Sequence, residues 1–282
     1  MPWQFSLASD IGGRSEQQDC LEMLSLNGHD AHLVVVADGM GGHRNGALAA
    51  RTVIETARRR FNTGAASDPR TFLQDLCLES HQEISKLGSD EPRSPGSTCV
   101  VLYLNGPEAY WAHVGDSRLY HFRNGRLLNR TQDHSVAQLM VSQGRLTEAD
   151  AATSALQNQL YMRLGGNEPP EPDFGASEVE AGDMFMLCSD GFWSHVEPQE
   201  VFASLEEYPI DNEGAGHLVD MARARGGSTG DNISLVLVRW DPGRVPTSKG
   251  LLARVFMLLT PEITRTASIS RLRHRIQSLL CR

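Results

Sequence analysis

The apolar positions of this 282-residue chain fall into short runs separated by glycine-containing turns. Residues 32–37 (His-Leu-Val-Val-Val-Ala) form a β-branched run without alternation. Such a run predicts a buried strand, here ended by a turn at Asp38-Gly39. Over 45–61, Ala47, Ala50, Val53, Ile54 and Ala57 recur at helical spacing and predict an amphipathic helix. A second helix is expected over 70–87. Four strands follow at 97–104, 109–114, 119–122 and 126–129, joined at Asn105-Gly106, Gly115-Asp116 and Asn124-Gly125. Connections this short predict an antiparallel meander, because parallel pairing needs longer crossovers.

Residues 134–170 are mostly polar and predict helix, broken at Gly144 and by a loop at 165–172. A strand at 183–189 ends in Asp190-Gly191. Helices are expected over 197–206 and 213–225, and a last strand over 233–240. Glycine-rich Gly226-Gly227-Ser228-Thr229-Gly230 leads into Asp231-Asn232 just before it.

Composition narrows the function. The net charge of −9 argues against nucleic acid, which needs a basic surface. That charge is unevenly spread: residues 242–282 hold eight basic residues and one acid, a net +7, so residues 1–241 carry −16. A domain of residues 1–241 followed by a basic, helical tail of 242–282 is therefore expected. In the tail, 250–260 is apolar but too short to span a bilayer. Further on, Ile269, Leu272, Ile276, Leu279 and Leu280 share one helical face. A basic amphipathic helix suits docking onto the chain's own acidic domain or binding a protein partner, ahead of peripheral contact with an anionic inner membrane. The five cysteines (Cys20, Cys77, Cys99, Cys188, Cys281) include no C-x-x-C pair. With no signal-peptide pattern at 1–12, a cytoplasmic location is expected.

The chemistry lies in four strand ends where an aspartate adjoins a glycine: Asp38-Gly39, Gly115-Asp116, Asp190-Gly191 and Gly230-Asp231. One such pair reads as a turn. Four, if their ends converge, crowd carboxylates whose repulsion raises their pKa unless cations compensate. Carboxylates suit hard cations such as Mn²⁺ or Mg²⁺, and no zinc-like His/Cys spacing is present. Two such ions about 3.5–4 Å apart can clamp a phosphoryl group and activate a water. Arg14, near Asp19, carries a planar fork suited to phosphate oxygens.

Seven motifs stand in order along the chain. They are Ser9-Asp10-Ile11-Gly12-Gly13-Arg14, residues 36–43 (Val-Ala-Asp-Gly-Met-Gly-Gly-His), Gly96-Ser97-Thr98, residues 113–118 (His-Val-Gly-Asp-Ser-Arg), Asp133-His134-Ser135, residues 187–193 (Leu-Cys-Ser-Asp-Gly-Phe-Trp) and residues 230–234 (Gly-Asp-Asn-Ile-Ser). Over about residues 4–240 this string resembles the type 2C (PPM) family of metal-dependent Ser/Thr protein phosphatases, its bacterial branch above all. Any one motif is weak; the ordered set is specific.

The resemblance implies an α+β fold, an α-β-β-α sandwich of two antiparallel sheets flanked by helices. It implies hydrolysis of phosphoserine and phosphothreonine in proteins by a metal-bound water. Carried over by position, Asp38 bridges two Mn²⁺ or Mg²⁺ ions, the Gly39 carbonyl ligates one, and Asp190 and Asp231 complete the first ion's shell. Asp116, with Asp190, holds a weaker third ion, against a turn role of nearly equal weight. Arg14 binds the phosphate, and Asp19 lies in or just behind the metal shell. Residues 140–172 match a variable flap. The implied partners are phosphorylated proteins and an opposing Ser/Thr kinase, with the chain itself a monomer.

Two departures bear on this. The family usually has Asn-Glu-Asp or Asn-Gln-Asp where this chain has Gln17-Gln18-Asp19, so neutral Gln18 is expected to weaken the second ion. It is the one feature favouring a catalytically weak, phosphoprotein-binding module; retained Asp38, Asp190 and Asp231 speak against that. Met40 replaces a histidine proposed as general acid in eukaryotic relatives, which leaves that role to metal-bound water or another residue; His43 is near in sequence, but a lone loop histidine reads first as a surface or structural residue. Phe192 and Trp193 are expected to pack around the site without a stacking role. Asp133-His134-Ser135 is expected to begin a helix, with Asp133 or Ser135 as cap.

Overall fold

The structure, a computed structural model, describes residues 2–41, 44–88, 94–207, 210 and 212–243. His43 and the tail helices expected within 250–282 lie outside the described residues.

Strand β3 (Ala31–Met40) shows why two sheets stack. Leu33, Val35 and Ala37 enter one apolar cluster, and Val34 and Val36 enter another. A strand that alternates between two cores must be apolar throughout, which is the unbroken run seen in the sequence. The same holds for β11 (Ile233–Trp240): Ile233, Leu235 and Leu237 face one core, and Val236, Val238 and Trp240 face the other.

One sheet runs β1 (Trp3–Asp10), β11, β10 (Met184–Cys188), β7 (Arg118–Arg123), β8 (Arg126–Arg130). The second runs β2 (Asp19–Ser25), β3, β5 (Cys99–Asn105), β6 (Glu108–Val114), β9 (Asp173–Glu178), with the short β4 (Gly96–Ser97) also on β3. All pairings are antiparallel. Helices α1 (Arg44–Phe61) and α2 (Pro69–Leu87) cover the second sheet through Val53, Ile54, Phe61, Leu73 and Leu76. Pro69 at the first helical turn and Asp68, whose carboxylate accepts from the Arg70 N–H, start α2 where the pattern placed it. Short α5 (Asp190–Trp193), α6 (Pro198–Glu207) and α7 (Asn212–Gly226) cover the first sheet. The result is the expected α-β-β-α sandwich.

Four expectations change. Asp38-Gly39 is not a turn: β3 continues through it, and Gly39 and Met40 pair with Ser97 and Gly96. The meander is broken, because β6 and β7 belong to different sheets and Gly115–Ser117 carries the chain between them. Of the helix expected over 134–170, only α3 (Val136–Ser142) and α4 (Glu148–Ala152) form. Finally β1, β2 and β9 were not anticipated. All three are edge strands. An edge strand with one wetter face mixes polar and apolar residues and loses the pure apolar signal.

Candidate active site

The topology gathers five aspartates at one end of the sandwich. On β2 and β3, Asp19 lies directly opposite Asp38. On the other sheet β10 and β11 pair through Cys188 and Leu235, so Asp190 and Asp231 lie just beyond adjoining strand ends. The crossover from β6 to β7 delivers Asp116. Close approach of these segments depends on glycine. A Cβ at Gly39 would fall 2.0 Å from the Gly46 carbonyl oxygen, and one at Gly191 would fall 2.1 Å from that of Asn232.

Side chains between the strands lock the arrangement. Thr98 Oγ1 accepts from the Asp38 N–H at 2.9 Å, and the Asp38 carbonyl accepts from Thr98 N at 2.8 Å and Ser97 Oγ at 3.0 Å. Ser189 Oγ donates to Asp19 Oδ2 at 2.7 Å and accepts from Ser234 N at 3.0 Å. The Asn232 amide, just before β11, pins the β1–β2 loop at three points: Oδ1 accepts from Gln18 N at 2.8 Å, and Nδ2 donates to the carbonyls of Ile11 (2.9 Å) and Glu16 (3.0 Å). Thr98, Ser189 and Asn232 were not singled out from sequence. Their signal was their place inside the ordered motifs, next to aspartates.

Burial sets the electrostatics. Loss of water, followed by the negative charges of neighbouring aspartates, pushes Asp19 up to about 7 and Asp190 up to about 6. The same causes raise Asp38 and Asp116 well above the usual carboxylate range. Asp190 Oδ1 is buried and receives no hydrogen bond. An acceptor so placed, in an all-oxygen set with mutual repulsion, fits a hard divalent cation. A Cβ on Gly46 would lie 2.7 Å from the Gly39 carbonyl oxygen and 3.0 Å from the Gln18 amide carbon. Gly39 and Gln18 therefore meet at one spot.

Arg14 stands at the rim with its side chain 55% exposed, its Nη2 donating to Asp231 Oδ2 at 2.6 Å. Asp116 is buried, and the charge of Asp190 is the largest after desolvation among the causes that raise it. Trp193 departs from expectation. Its ring carries the Arg118 guanidinium, 3.5 Å from the ring centroid, and its Nε1 donates to the Asp116 carbonyl at 2.9 Å. Ser135 caps α3, accepting from Gln138 N, so Asp133-His134-Ser135 begins a helix as anticipated and forms no triad.

A second group of potential ligand atoms, on His113, His134 and Asp173, lies within 4.8 Å of one another. The hydrogen bonds at His134 oppose a cation there, although His113 Nδ1 is buried without a hydrogen-bond partner. The Gly115 N–H donates to His134 Nδ1 at 3.1 Å, which places the ring proton on Nε2, the nitrogen facing Asp173 Oδ2 at 3.4 Å. His113 Nε2 donates to the Gln132 carbonyl at 2.7 Å, and burial beside His134 pushes this imidazole down to about 4. The pair is a neutral, stacked packing element, ring centroids 4.6 Å apart.

Comparison with known proteins agrees with this geometry. The protein phosphatase 2C family model matches residues 8–218. A protein of Streptococcus pyogenes described as protein phosphatase 2C-type is 34% identical over 240 residues, covering 83% of this chain and 96% of the relative. A Streptococcus agalactiae serine/threonine phosphatase structure superposes with a TM-score of 0.78 at 30% identity, covering 85% of this chain and 100% of that one. The catalytic domain of the serine/threonine phosphatase PstP, solved with 2 manganese ions, superposes with a TM-score of 0.71 at 29% identity, covering 84% and 97%.

Proposed function

The chain belongs to the protein phosphatase 2C family, and on that footing we propose how its own residues carry out metal-dependent hydrolysis of phosphoserine and phosphothreonine in proteins. The observation that carries the assignment is the convergence of Asp19, Asp38, Asp116, Asp190 and Asp231, with the bare Asp190 Oδ1 among them. Asp38 would bridge two ions, the Gly39 carbonyl would hold one, and Asp190 and Asp231 would complete the first ion's shell, with Asp19 in or just behind it. Asp116 with Asp190 would hold a third. The PstP structure with 2 manganese ions supports Mn²⁺ as an occupant, and Mg²⁺ fits the same oxygen set. When bound, such ions neutralise phosphoryl oxygens and lower the pKa of a water.

The protein's remaining work is positional. Arg14 offers its fork to two phosphoryl oxygens at the rim. Thr98 and Ser97 hold the Asp38 backbone, so its carboxylate is presented without reorganisation. Water adds to phosphorus, the bond to the Ser or Thr oxygen breaks as that oxygen takes up the proton the water gives up, and inorganic phosphate leaves. Residues 140–172, which match the family's variable flap, are assigned to substrate selection. An opposing Ser/Thr kinase, a monomeric state and a cytoplasmic location complete the reading. The basic segment 242–282 is assigned to contact with an acidic protein surface or the inner membrane face. Among the described residues no helix is long and apolar enough to cross a membrane.

The test is hydrolysis of a phosphothreonine peptide with Mn²⁺ or Mg²⁺, abolished by EDTA. Asp38→Ala and Asp231→Ala should each lower the rate by orders of magnitude. Full activity in either variant, or inactivity of the native chain across Mn²⁺ concentrations, overturns the assignment. Fractionation of full-length chain against one lacking 243–282 tests the tail; an unchanged distribution removes membrane contact.

A further inference from the structure

The segment that delivers Asp116 is held from both sides. Gly115 adopts φ +102°, a conformation an L side chain rarely takes, and a Cβ there would lie 2.7 Å from Thr98 Cγ2. His134 grips both polar groups of this glycine: its backbone N–H donates to the Gly115 carbonyl at 2.9 Å, and its Nδ1 accepts the Gly115 N–H at 3.1 Å. On the other side Trp193 Nε1 donates to the Asp116 carbonyl at 2.9 Å. All three side chains, Asp116, His134 and Trp193, are buried.

The place of Trp193 gives this bond its meaning. Asp190 is the first residue of α5 and Trp193 the last, so they stand on one face of a single helical turn. Through the indole N–H, the separation of Asp116 from Asp190 is set by that turn. The indole is itself pinned. Arg118 lies over its ring and is held in turn by Asp133 through two bonds, Nε to Oδ1 at 2.8 Å and Nη2 to Oδ2 at 2.7 Å. Asp133 and His134 are adjacent, so one short segment supports both arms.

We propose that Trp193 and His134 are positioning residues for Asp116, fixing its peptide so that its carboxylate stands beside Asp190 where the two share a cation. This rests on the reading of Asp116 as a ligand of the third ion. Outer partners of metal ligands typically change metal affinity by roughly 10–100-fold when removed. The effect should fall on the weakest class of ions alone, because Asp38, Asp231 and Asp19 are held by Thr98, Arg14 and Ser189.

The experiment is Mn²⁺ binding to the full-length chain, by calorimetry and by the spin resonance of free Mn²⁺, with melting in EDTA as a control on folding. Variants are Asp116→Asn, Trp193→Phe, His134→Leu and His134→Asn. Asp116→Asn should remove the weakest class. Trp193→Phe keeps a ring under Arg118 but loses the N–H; it and His134→Leu should weaken that class about 10–100-fold and leave the tighter ions unchanged. His134→Asn restores an acceptor at the Nδ1 position and should recover most of the loss. If Asp116→Asn binds as the native chain does, the ligand reading fails and the proposal with it. If Asp116→Asn loses ions but Trp193→Phe and His134→Leu do not, or weaken every class equally, the positioning role alone fails. Should Trp193→Phe not fold, the two His134 variants decide between these outcomes.

Discussion

Arg14 Nη2 and Asp231 Oδ2 are 2.6 Å apart, so the guanidinium proposed to bind phosphate is already paired with a member of the acid cluster. The other Asp231 oxygen accepts from the Asn232 N–H at 2.8 Å. Arg14 therefore draws on the same carboxylate that a cation would use. Arg14→Ala should lower kcat/KM for a phosphothreonine peptide by roughly 10–100-fold, as loss of charge-assisted hydrogen bonds implies. The same variant should bind Mn²⁺ at least as tightly as the native chain in calorimetry. Arg14→Lys should recover only part of the rate, since an ammonium lacks the fork. Equal kinetics in all three chains would show that Arg14 never meets the phosphate.

The raised carboxyls predict an inverted pH dependence of stability. Asp19 goes from an ordinary 3.8 up to about 7, so between these values the folded chain binds more protons than the unfolded one. Without divalent cations, the contribution of this group is stabilising at low pH and is lost as pH rises through about 7. Asp19→Asn should therefore flatten the fall of melting temperature between pH 4 and 8 in EDTA, where roughly that window applies. Mn²⁺ should reverse the trend, raising melting temperature more at the upper end, because binding requires deprotonated ligands. Melting in EDTA that is parallel for Asp19→Asn and native chains would contradict the burial argument.

What could be read from the sequence depended on two-sided burial. Strands β3 and β11 and helices α1, α2, α6 and α7 announce themselves because each presents a sustained apolar pattern. The edge strands β1, β2 and β9 do not. The Gly115-Asp116 crossover looked like a hairpin because a short turn is the same locally whether the next strand joins the same sheet or the facing one. The aspartates were visible through adjacent glycines, and the ordered motifs raised them from turns to a site. Trp193 could not be assigned its role, since an apolar ring in a motif carries no sign that its N–H reaches a carbonyl 77 positions away.

Away from the site, Asp183 is a second buried carboxylate with the opposite balance. Burial pushes it up, but Arg123 (2.8 and 2.7 Å), the Glu180 N–H (3.0 Å) and His121 (3.1 Å) outweigh that and hold it below the usual range. Its contribution is present above the unfolded pKa and lost as pH falls through the folded one. Asp183→Ala takes the shared partner from His121 and Arg123, though Arg123 keeps Glu180 and the Glu178 carbonyl, and should cost about 1–3 kcal/mol in urea unfolding at neutral pH. Activity per folded molecule should be unchanged, since none of these groups touches the acid cluster. A loss below about 1 kcal/mol would mean the network is solvated.

Gln18 offers a test of how the second ion is held. Its amide carbon and the Gly39 carbonyl oxygen both crowd the same face of Gly46, 3.0 and 2.7 Å from where a Cβ would stand. A carboxylate at position 18 would thus add a charged oxygen beside a carbonyl already assigned to metal. Gln18→Glu should tighten Mn²⁺ binding about tenfold, in line with the weight of outer partners and ligand charge. It should also carry a cost. One more acid joins a group whose members already raise one another, so the variant should melt lower than the native chain in EDTA at pH above about 7. The two effects have opposite signs and one origin. Tighter Mn²⁺ binding without the loss in EDTA, or the loss without tighter binding, would place residue 18 outside the shared field of Asp19 and Asp38.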